Sequence, residues 1–419
     1  MDHILGLKCS LCGREYGLNE IEYVCPKHGD LGNVDVVYDL RRVARQVSKR
    51  KLADDRDYSI WRYRALLPIE PDSPALPLQI GWTPLYRSKQ LGDSLEMPNL
   101  YIKDDGRNPT ASFKDRASAI AVVKVRELGR EIITTASSGN AGAALAGMAA
   151  SVGQPAVIFV PQTAPEAKVA QLLMFGASVL LVKGTYDDAF DLCLEASREF
   201  GWYCRNTGYN PFTLEGKKTA ALEICEQLKW KAPDRIFVSV GDGNIISGLH
   251  KGLKDLYELG WIDKLPRLMG VQAAGAAACY NAWRHHTEKI TPVEAETIAD
   301  SISVGLPRDG VRAVRAASQT GGAYLTVTDD EILDAMRGLA RQAAVFAEPA
   351  GATAYAGLVK ALQRNLVERD ETVVVLITGN GLKDVKSAIK AAGQAQRVDP
   401  DLESLKRLWK KMASVIHET

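Results

Sequence analysis

No stretch of this sequence stays apolar long enough to cross a bilayer. The longest runs, such as Ala117–Val123 and Val373–Ile377, fall far short of the roughly 20 residues a spanning helix needs. The N-terminus, Met-Asp-His-Ile-Leu-Gly-Leu-Lys-Cys-Ser, lacks the basic start and apolar centre of a signal peptide. An excess of one charge is also missing. Lys and Arg total 52 against 51 for Asp and Glu, which leaves no field to steer the chain onto nucleic acid or a membrane surface. A small molecule is the expected partner. Seven cysteines are an odd number for a disulfide framework, and four of them are scattered as small hydrophobes, so a reducing cytoplasm is expected. Neither an internal repeat nor a low-complexity tract is present.

What remains is ordinary globular composition, 46% hydrophobic and 25% charged over 419 residues. At roughly 100–200 residues per domain this length suggests two or three units. Residues 1–40 are short-stranded and punctuated by glycine. Residues 41–78 are charged, then proline-rich, and read as a connecting arm rather than a core element. Beyond residue 130, apolar strands alternate with helices. Glu131–Thr135, Ala156–Val160 and Ser178–Val182 are strand-like; Ala141–Ser151, Ala164–Phe175 and Tyr186–Phe200 have helical spacing. The rhythm resumes with strands at Arg235–Val240, Arg267–Gln272 and Thr372–Thr378. Strands alternating with helices of this length predict parallel βαβ units, hence an α/β fold with two three-layer α/β/α domains. In such sheets ligands collect at the carboxyl ends of the strands.

Four unusual loops fall at such ends. Asn108-Pro-Thr-Ala-Ser-Phe-Lys-Asp-Arg116 places Lys114 beside a phenylalanine and at the mouth of a helix. The helix dipole disfavours an ammonium there, as an imine-forming lysine requires. A surface lysine paired with Asp115 is the plainer alternative. Thr134-Thr-Ala-Ser-Ser-Gly-Asn-Ala-Gly142 sits between strand and helix. Its small residues, Ser137 and Ser138 among them, let backbone amides approach a carboxylate, and Asn140 can donate to a phenolate-like oxygen. An Asn-capped turn explains it equally well. Val240-Gly-Asp-Gly-Asn-Ile-Ile-Ser-Gly248 offers a glycine nest for a phosphate at Gly241 and Gly243, with Asn244 as a further donor. Asp242 would repel that phosphate unless its side chain turns away or meets a backbone N–H. In Leu376-Ile-Thr-Gly-Asn-Gly-Leu-Lys-Asp384, Thr378 ends a strong strand and is placed to aim its hydroxyl into the cleft; a strand-end Thr satisfying its own turn is the plainer alternative.

Taken in this order, and preceded by Gly81-Trp-Thr-Pro-Leu85, these loops resemble the fold-type II pyridoxal-phosphate enzymes over roughly residues 79–390. Within that group, Ser112-Phe-Lys-Asp-Arg116, Asn210-Pro-Phe-Thr-Leu-Glu-Gly-Lys-Lys-Thr219 and Thr378-Gly-Asn-Gly-Leu-Lys-Asp384 are similar to the threonine synthases. The resemblance implies a homodimer and a pyridoxal 5′-phosphate cofactor joined to Lys114 as an imine. Phe113 would lie beside the cofactor, Asn140 on its O3′, Gly241, Asp242, Gly243 and Asn244 around its phosphate, and Thr378 at the pyridine nitrogen. A phosphorylated amino acid would be the substrate. Ser137, Ser138 and Asn140 would take its carboxylate, and Ser112, Arg205 and Lys217 its phosphate. It further implies a large domain of residues 79–126 and 215–396, a small domain of 127–214 and a C-terminal helix within 397–419. Where many relatives carry His or Gly, this chain has Ala111, and Ala117 stands for the usual Gly after Arg116.

Ahead of this region, Cys9-Ser-Leu-Cys12 and Cys25-Pro-Lys-His28 make a C-x2-C-x12-C-x2-H pattern, each pair followed by glycine. The spacing suits a tetrahedral, structural Zn²⁺ in a small ribbon of residues 1–40; a ribbon that has lost its metal, or a Cys9/Cys12 redox pair, is the alternative. Similar ribbons precede some threonine synthases, usually with four cysteines.

Overall fold

The computed structural model describes residues 1–164 and 166–416. The chain opens with a ribbon, β1 (Ile4–Cys9), β2 (Glu15–Tyr16) and β3 (Val34–Tyr38), in which β1 is central and antiparallel to both neighbours. It then lays down β4 (Leu85–Arg87), β5 (Leu100–Asp104), β6 (Ile133–Ala136), β7 (Ala156–Pro161), β8 (Ser178–Val182) and β9 (Tyr203–Cys204). The last strands are β10 (Arg235–Ser239), β11 (Arg267–Ala273), β12 (Ala323–Val327) and β13 (Val373–Ile377). Four of them form a parallel sheet in the order β8-β7-β6-β9. Six form a second sheet, β12-β11-β10-β13-β5-β4, parallel except for β4 at its edge.

Burial explains which segments became which strands. Every residue of β10 and β13 is buried, because helices cover both faces of the central parallel strands, and the sequence answers with unbroken apolar runs. The edge strand β8 is largely exposed despite its apolar sequence. The segment of residues 41–78 departs from the expected connecting arm. It holds helices at Lys49–Asp54 and Ile60–Leu66, and Ile60, Tyr63, Leu66, Leu67, Ile69 and Leu76 belong to the main core. Pro68 stands just past the second of these helices, and Ile69 and Leu76 enter the core between the prolines. The C-terminal helix spans Leu402–Ile416, with Leu402, Leu405 and Trp409 exposed; residues 417–419 of the expected segment lie outside the described residues, as does Pro165 in the expected helix Ala164–Phe175. No described helix is long and apolar enough to cross a membrane.

The helix Lys114–Glu127 is buried along most of its length and packs on both the Asn140–Ala150 and the Phe212–Gln227 helices. Glycine permits the close approach of the Phe212–Gln227 helix both to the Lys114–Glu127 helix and to the Asn244–Glu258 helix on its other side. A Cβ on Gly216 would lie 2.1 Å from the carbonyl oxygen of Arg116, and one on Gly252 would lie 2.6 Å from that of Lys218.

A buried ion cluster clamps the base of the Lys114 helix. The Arg116 guanidinium donates from Nε to Asp105 Oδ2 at 2.6 Å and from Nη2 to Glu223 Oε2 at 2.7 Å, and Lys103 Nζ donates to the same Glu223 oxygen at 2.8 Å. All four side chains are fully buried. Thr83, from the Gly81-Trp-Thr-Pro-Leu85 motif, donates to Asp105 Oδ1 at 2.6 Å. Burial would push the Glu223 carboxyl up, but the Arg116 and Lys103 charges outweigh it and hold it at about 2. Removing one partner strands the others without water, which typically costs about 3–5 kcal/mol. Glu223→Ala is therefore expected to lower the stability of the protein by that amount in a denaturant titration. A loss under about 1 kcal/mol would show that the cluster relaxes freely.

Candidate active site

Between the carboxyl ends of the two sheets lies a cavity of about 600 Å³, whose wall includes Lys114, Asn140, Arg205, Asn244, Glu348 and Thr378. Ser137, Ser138, Gly241, Asp242 and Gly243 also line it. Each polar group arrives on a strand end or a helix start. β6 stops at Ala136 and the next helix begins at Asn140; β10 stops at Ser239 and the next begins at Asn244; Thr378 directly follows β13. The sheets thus aim three separate loops, and two helix N-termini, at one space.

Lys114 is the first residue of its helix. The preceding Phe113 N–H donates to Thr378 O at 2.9 Å, which fixes the lysine against the end of β13. Asp115 does not pair with it. That carboxylate turns away to accept from the Thr110 N–H at 2.7 Å and from the Thr110 hydroxyl. Burial lowers the Lys114 pKa, and the Arg205 charge lowers it further, against the opposing pull of Asp242 and Glu348. The amine is therefore more readily uncharged than an ordinary lysine.

Three of the candidate residues stand behind the wall rather than in it. Phe113 is fully buried, with the Arg116 guanidinium 5.5 Å over its ring. Ser112 is fully buried, and its Oγ meets no hydrogen-bonding group. Lys217 is spent on Asn244, to whose Oδ1 its Nζ donates. Burial and the nearby charges of Lys114 and Arg205 push the Lys217 amine well down. Lys217 thus acts on the loop through Asn244, because the Phe212–Gln227 helix carries it into the layer beneath.

Arg205 does reach the cavity. It is fully buried, donating from Nε to Ser118 Oγ at 3.2 Å and from Nη1 to Thr207 Oγ1 at 2.9 Å, while its Nη2 has no partner. Burial pulls its pKa down to about 10. Ser239, at the end of β10, also lines the cavity with an unpartnered, buried Oγ. Ser239, at the strand end that feeds the glycine loop, and Arg205, which follows β9, are orphaned donors that each fit an anion, since an unmade buried hydrogen bond costs about 1–3 kcal/mol. The loop itself is shaped from behind. Gly243 has φ +90° and lies where a Cβ would strike Ala313 at 2.6 Å. Asp242 Oδ1 accepts from the Arg308 N–H at 3.3 Å and leaves the nest amides clear.

Asn140 donates from Nδ2 to Glu348 Oε1 at 2.7 Å. Burial raises Glu348 to about 7. Its side chain passes so close to Gly379 that a Cβ there would fall 2.2 Å from Oε1. Sequence reasoning gave Glu348 no definite role, and it missed Ser239, Tyr186 and the Ser301–Arg308 segment of the wall. Only Ser239 had a legible signal, its place at a strand's carboxyl end. Residues of this kind and arrangement fit pyridoxal phosphate: a buried amine whose pKa is lowered, an anion nest and a strand-end hydroxyl around one cavity.

In the ribbon, the ligand atoms of Cys9, Cys12, Cys25 and His28 all lie within 4.8 Å of one another. Thiolates on one zinc stand about 3.8 Å apart, given Zn–S bonds of about 2.3 Å. Gly13, at φ +71°, donates its N–H to Cys9 O at 2.9 Å and closes the first turn. His28 Nε2 is buried with no partner in the protein. This donor set fits a tetrahedral ion.

Comparison with known proteins agrees with the geometry. Residues 76–379 match the pyridoxal-phosphate dependent enzyme family. A threonine synthase from Methanocaldococcus jannaschii is 40% identical over 407 residues, covering 97% of this chain and 99% of that one. One from Methanosarcina acetivorans is 39% identical, covering 96% and 97%. Among solved structures, the processed threonine deaminase isoform 2 of Solanum lycopersicum is 25% identical with a TM-score of 0.64, over 74% of this chain and 88% of that one. The Escherichia coli diaminopropionate ammonia lyase, at 20% identity and a TM-score of 0.65 over 82% and 91%, shares the fold. The chain belongs to the pyridoxal-phosphate dependent enzyme family, in the branch that holds these threonine synthases.

Proposed function

We infer that this chain is a threonine synthase, converting O-phospho-L-homoserine and water to L-threonine and phosphate. The observation that carries this reading is Arg205, a buried guanidinium with one free edge in the same cavity as Lys114. A cofactor phosphate is provided for at Gly241–Asn244 and Ser239, and a substrate carboxylate at the Ser137–Asn140 turn. A third anion contact is surplus to an enzyme of unphosphorylated serine or threonine. It has a use if the substrate brings its own phosphate.

Lys114, Asn140, Gly241–Asn244 and Thr378 would hold pyridoxal phosphate, which when bound supplies an electron sink for charge developing at the substrate Cα. Lys114 is the group placed to take the Cα proton, since its desolvated amine is a competent base. Arg205 neutralises the departing phosphate through its free Nη2. Asn140, held by Glu348, is kept from rotating out of the cavity. Thr378 would offer a hydroxyl to the ring nitrogen, and a hydroxyl does not force such a nitrogen to be protonated.

In the ribbon, Cys9, Cys12, Cys25 and His28 would hold a zinc ion in a structural role, because four protein ligands leave no open position. Metal analysis should find one zinc per chain that survives mild dialysis. Substoichiometric metal would count against it.

For the main reading, phosphate release from O-phosphohomoserine is the test. We expect turnover in the wild type, and a fall of about 100-fold in kcat/KM for Arg205→Met, as the loss of a charge-assisted hydrogen bond of up to ~3 kcal/mol predicts. Turnover of serine or threonine with no phosphate released would place the enzyme among the dehydratases instead.

A further inference from the structure

A second cavity, of about 330 Å³, lies outside the catalytic cleft, where β3 of the ribbon meets the Asn244–Glu258 helix and the Gly310–Gln319 helix. Its size is that of a small-metabolite pocket. Lys8, Lys251, Lys254, Arg312 and Arg315 give its wall five cations, four of them already engaged: Lys8 with Glu15, Lys251 with Val36 O, Arg312 with Asp35 and Asp309, and Arg315 with Glu288. Asp35, Asp255 and Glu258 contribute three carboxylates. Two of these are already engaged, Asp35 by Arg312 Nη1 at 2.7 Å and Asp255 by Lys218 Nζ at 2.8 Å. Lys254 is exposed and pairs with no acidic group among the described residues. A second observation marks the same wall. His250 is nine-tenths buried, and its Nε2 meets no hydrogen-bonding group among the described residues. A neutral imidazole N–H and a free ammonium, one helical turn apart, are suited to an oxyanion. Glu258 sets an upper bound on its charge and disfavours polyphosphates.

The wall is also wired to the cofactor loop. The helix that carries His250, Lys251 and Lys254 begins at Asn244 in the glycine nest, about 9–15 Å away at 1.5 Å per residue. Arg312 donates to Asp309 Oδ1 at 2.5 Å, and Asn244 donates to Asp309 Oδ2 at 2.7 Å. The ribbon joins the same carboxylate through Asn33, whose Nδ2 lies 3.1 Å from Asp309 Oδ1. On the other side, Lys251 donates to Val36 O of β3 at 2.7 Å.

We propose that this cavity is an effector site for a small organic acid or phosphate ester bearing one or two negative charges, and that its occupation fastens the ribbon to the Asn244 helix and so tightens the cofactor loop. His250 and Lys254 take the oxyanion. The signal passes along the helix and through Asp309, both of which end on Asn244. Neither residue faces the catalytic cavity, so turnover without the effector does not depend on them.

The test uses holoenzyme with labelled histidines, in which the His250 resonance is identified by its loss in His250→Gln. Sulfate and succinate serve as probes for phosphate-like and carboxylate-like ligands, against chloride at equal ionic strength. We expect at least one probe to shift the His250 resonance saturably and to slow cofactor release. The probe that saturates at lower concentration identifies the source. In Lys254→Gln, a surface change that leaves the fold intact, the midpoint should rise about tenfold, the ~1.4 kcal/mol of one ion pair. A shift that chloride reproduces, or a midpoint unchanged in Lys254→Gln, would overturn the site. Saturable binding with no effect on cofactor release would overturn the coupling.

Discussion

An ammonium enclosed by protein loses its hydration, and the enclosed lysine recovers that cost most easily by giving up its proton. Lys114 is placed where this happens. The helix start adds an unfavourable dipole, Arg205 adds a like charge, and Asp115, the neighbour best placed to hold the proton on, is occupied with Thr110. Much of the surrounding architecture keeps that amine in position. The Phe113 N–H to Thr378 O bond ties it to β13, and the Arg116 cluster pins the first turn of its helix to β5 and to the Phe212–Gln227 helix.

The same cluster shows how motif residues divide between chemistry and support. Thr83 and Arg116 lie within the motifs that carry the family resemblance, yet neither lines the cavity; they neutralise and orient Asp105 and Glu223 beneath it. Lys217 is similar. Its segment is distinctive, but its amine reaches Asn244 and stops there. Such residues set the position of the groups that touch ligands, and substitution at them acts through geometry. The ribbon joins this supporting layer through Asn33, which donates to Asp309, and through Asp35, which accepts from Arg312, itself a donor to Asp309 behind Gly243 and Asn244.

Much of this was legible in the sequence because central parallel strands are buried on both faces. β10, β11 and β13 read as apolar runs, and the glycine- and serine-rich loops at their ends stood out against them. The C-x2-C and C-x2-H pairs were legible for a similar reason, since metal-binding turns have narrow spacing rules. The arm of residues 41–78 was misjudged because prolines signal broken helices, not exposure: Ile60, Tyr63 and Leu67 go into the core ahead of Pro68, and Ile69 and Leu76 between the prolines. The Ser301–Arg308 wall had no signal, as its shape follows from the packing of Ser301 and Ile302 against Gly241. Ala111 adopts φ +63°, a left-handed turn that its identity conceals. Which lysine meets ligand, Lys114 or Lys217, depended on three-dimensional layering that spacing does not encode.

Borohydride reduction of the holoenzyme, followed by peptide mapping, tests the central claim most directly, because it records which amine carries the cofactor. The cofactor mass is predicted on the peptide containing Lys114 and nowhere else, with no label in Lys114→Ala. Labelling of Lys217, or an unlabelled Lys114 in protein that retains its colour until reduction, would contradict the account.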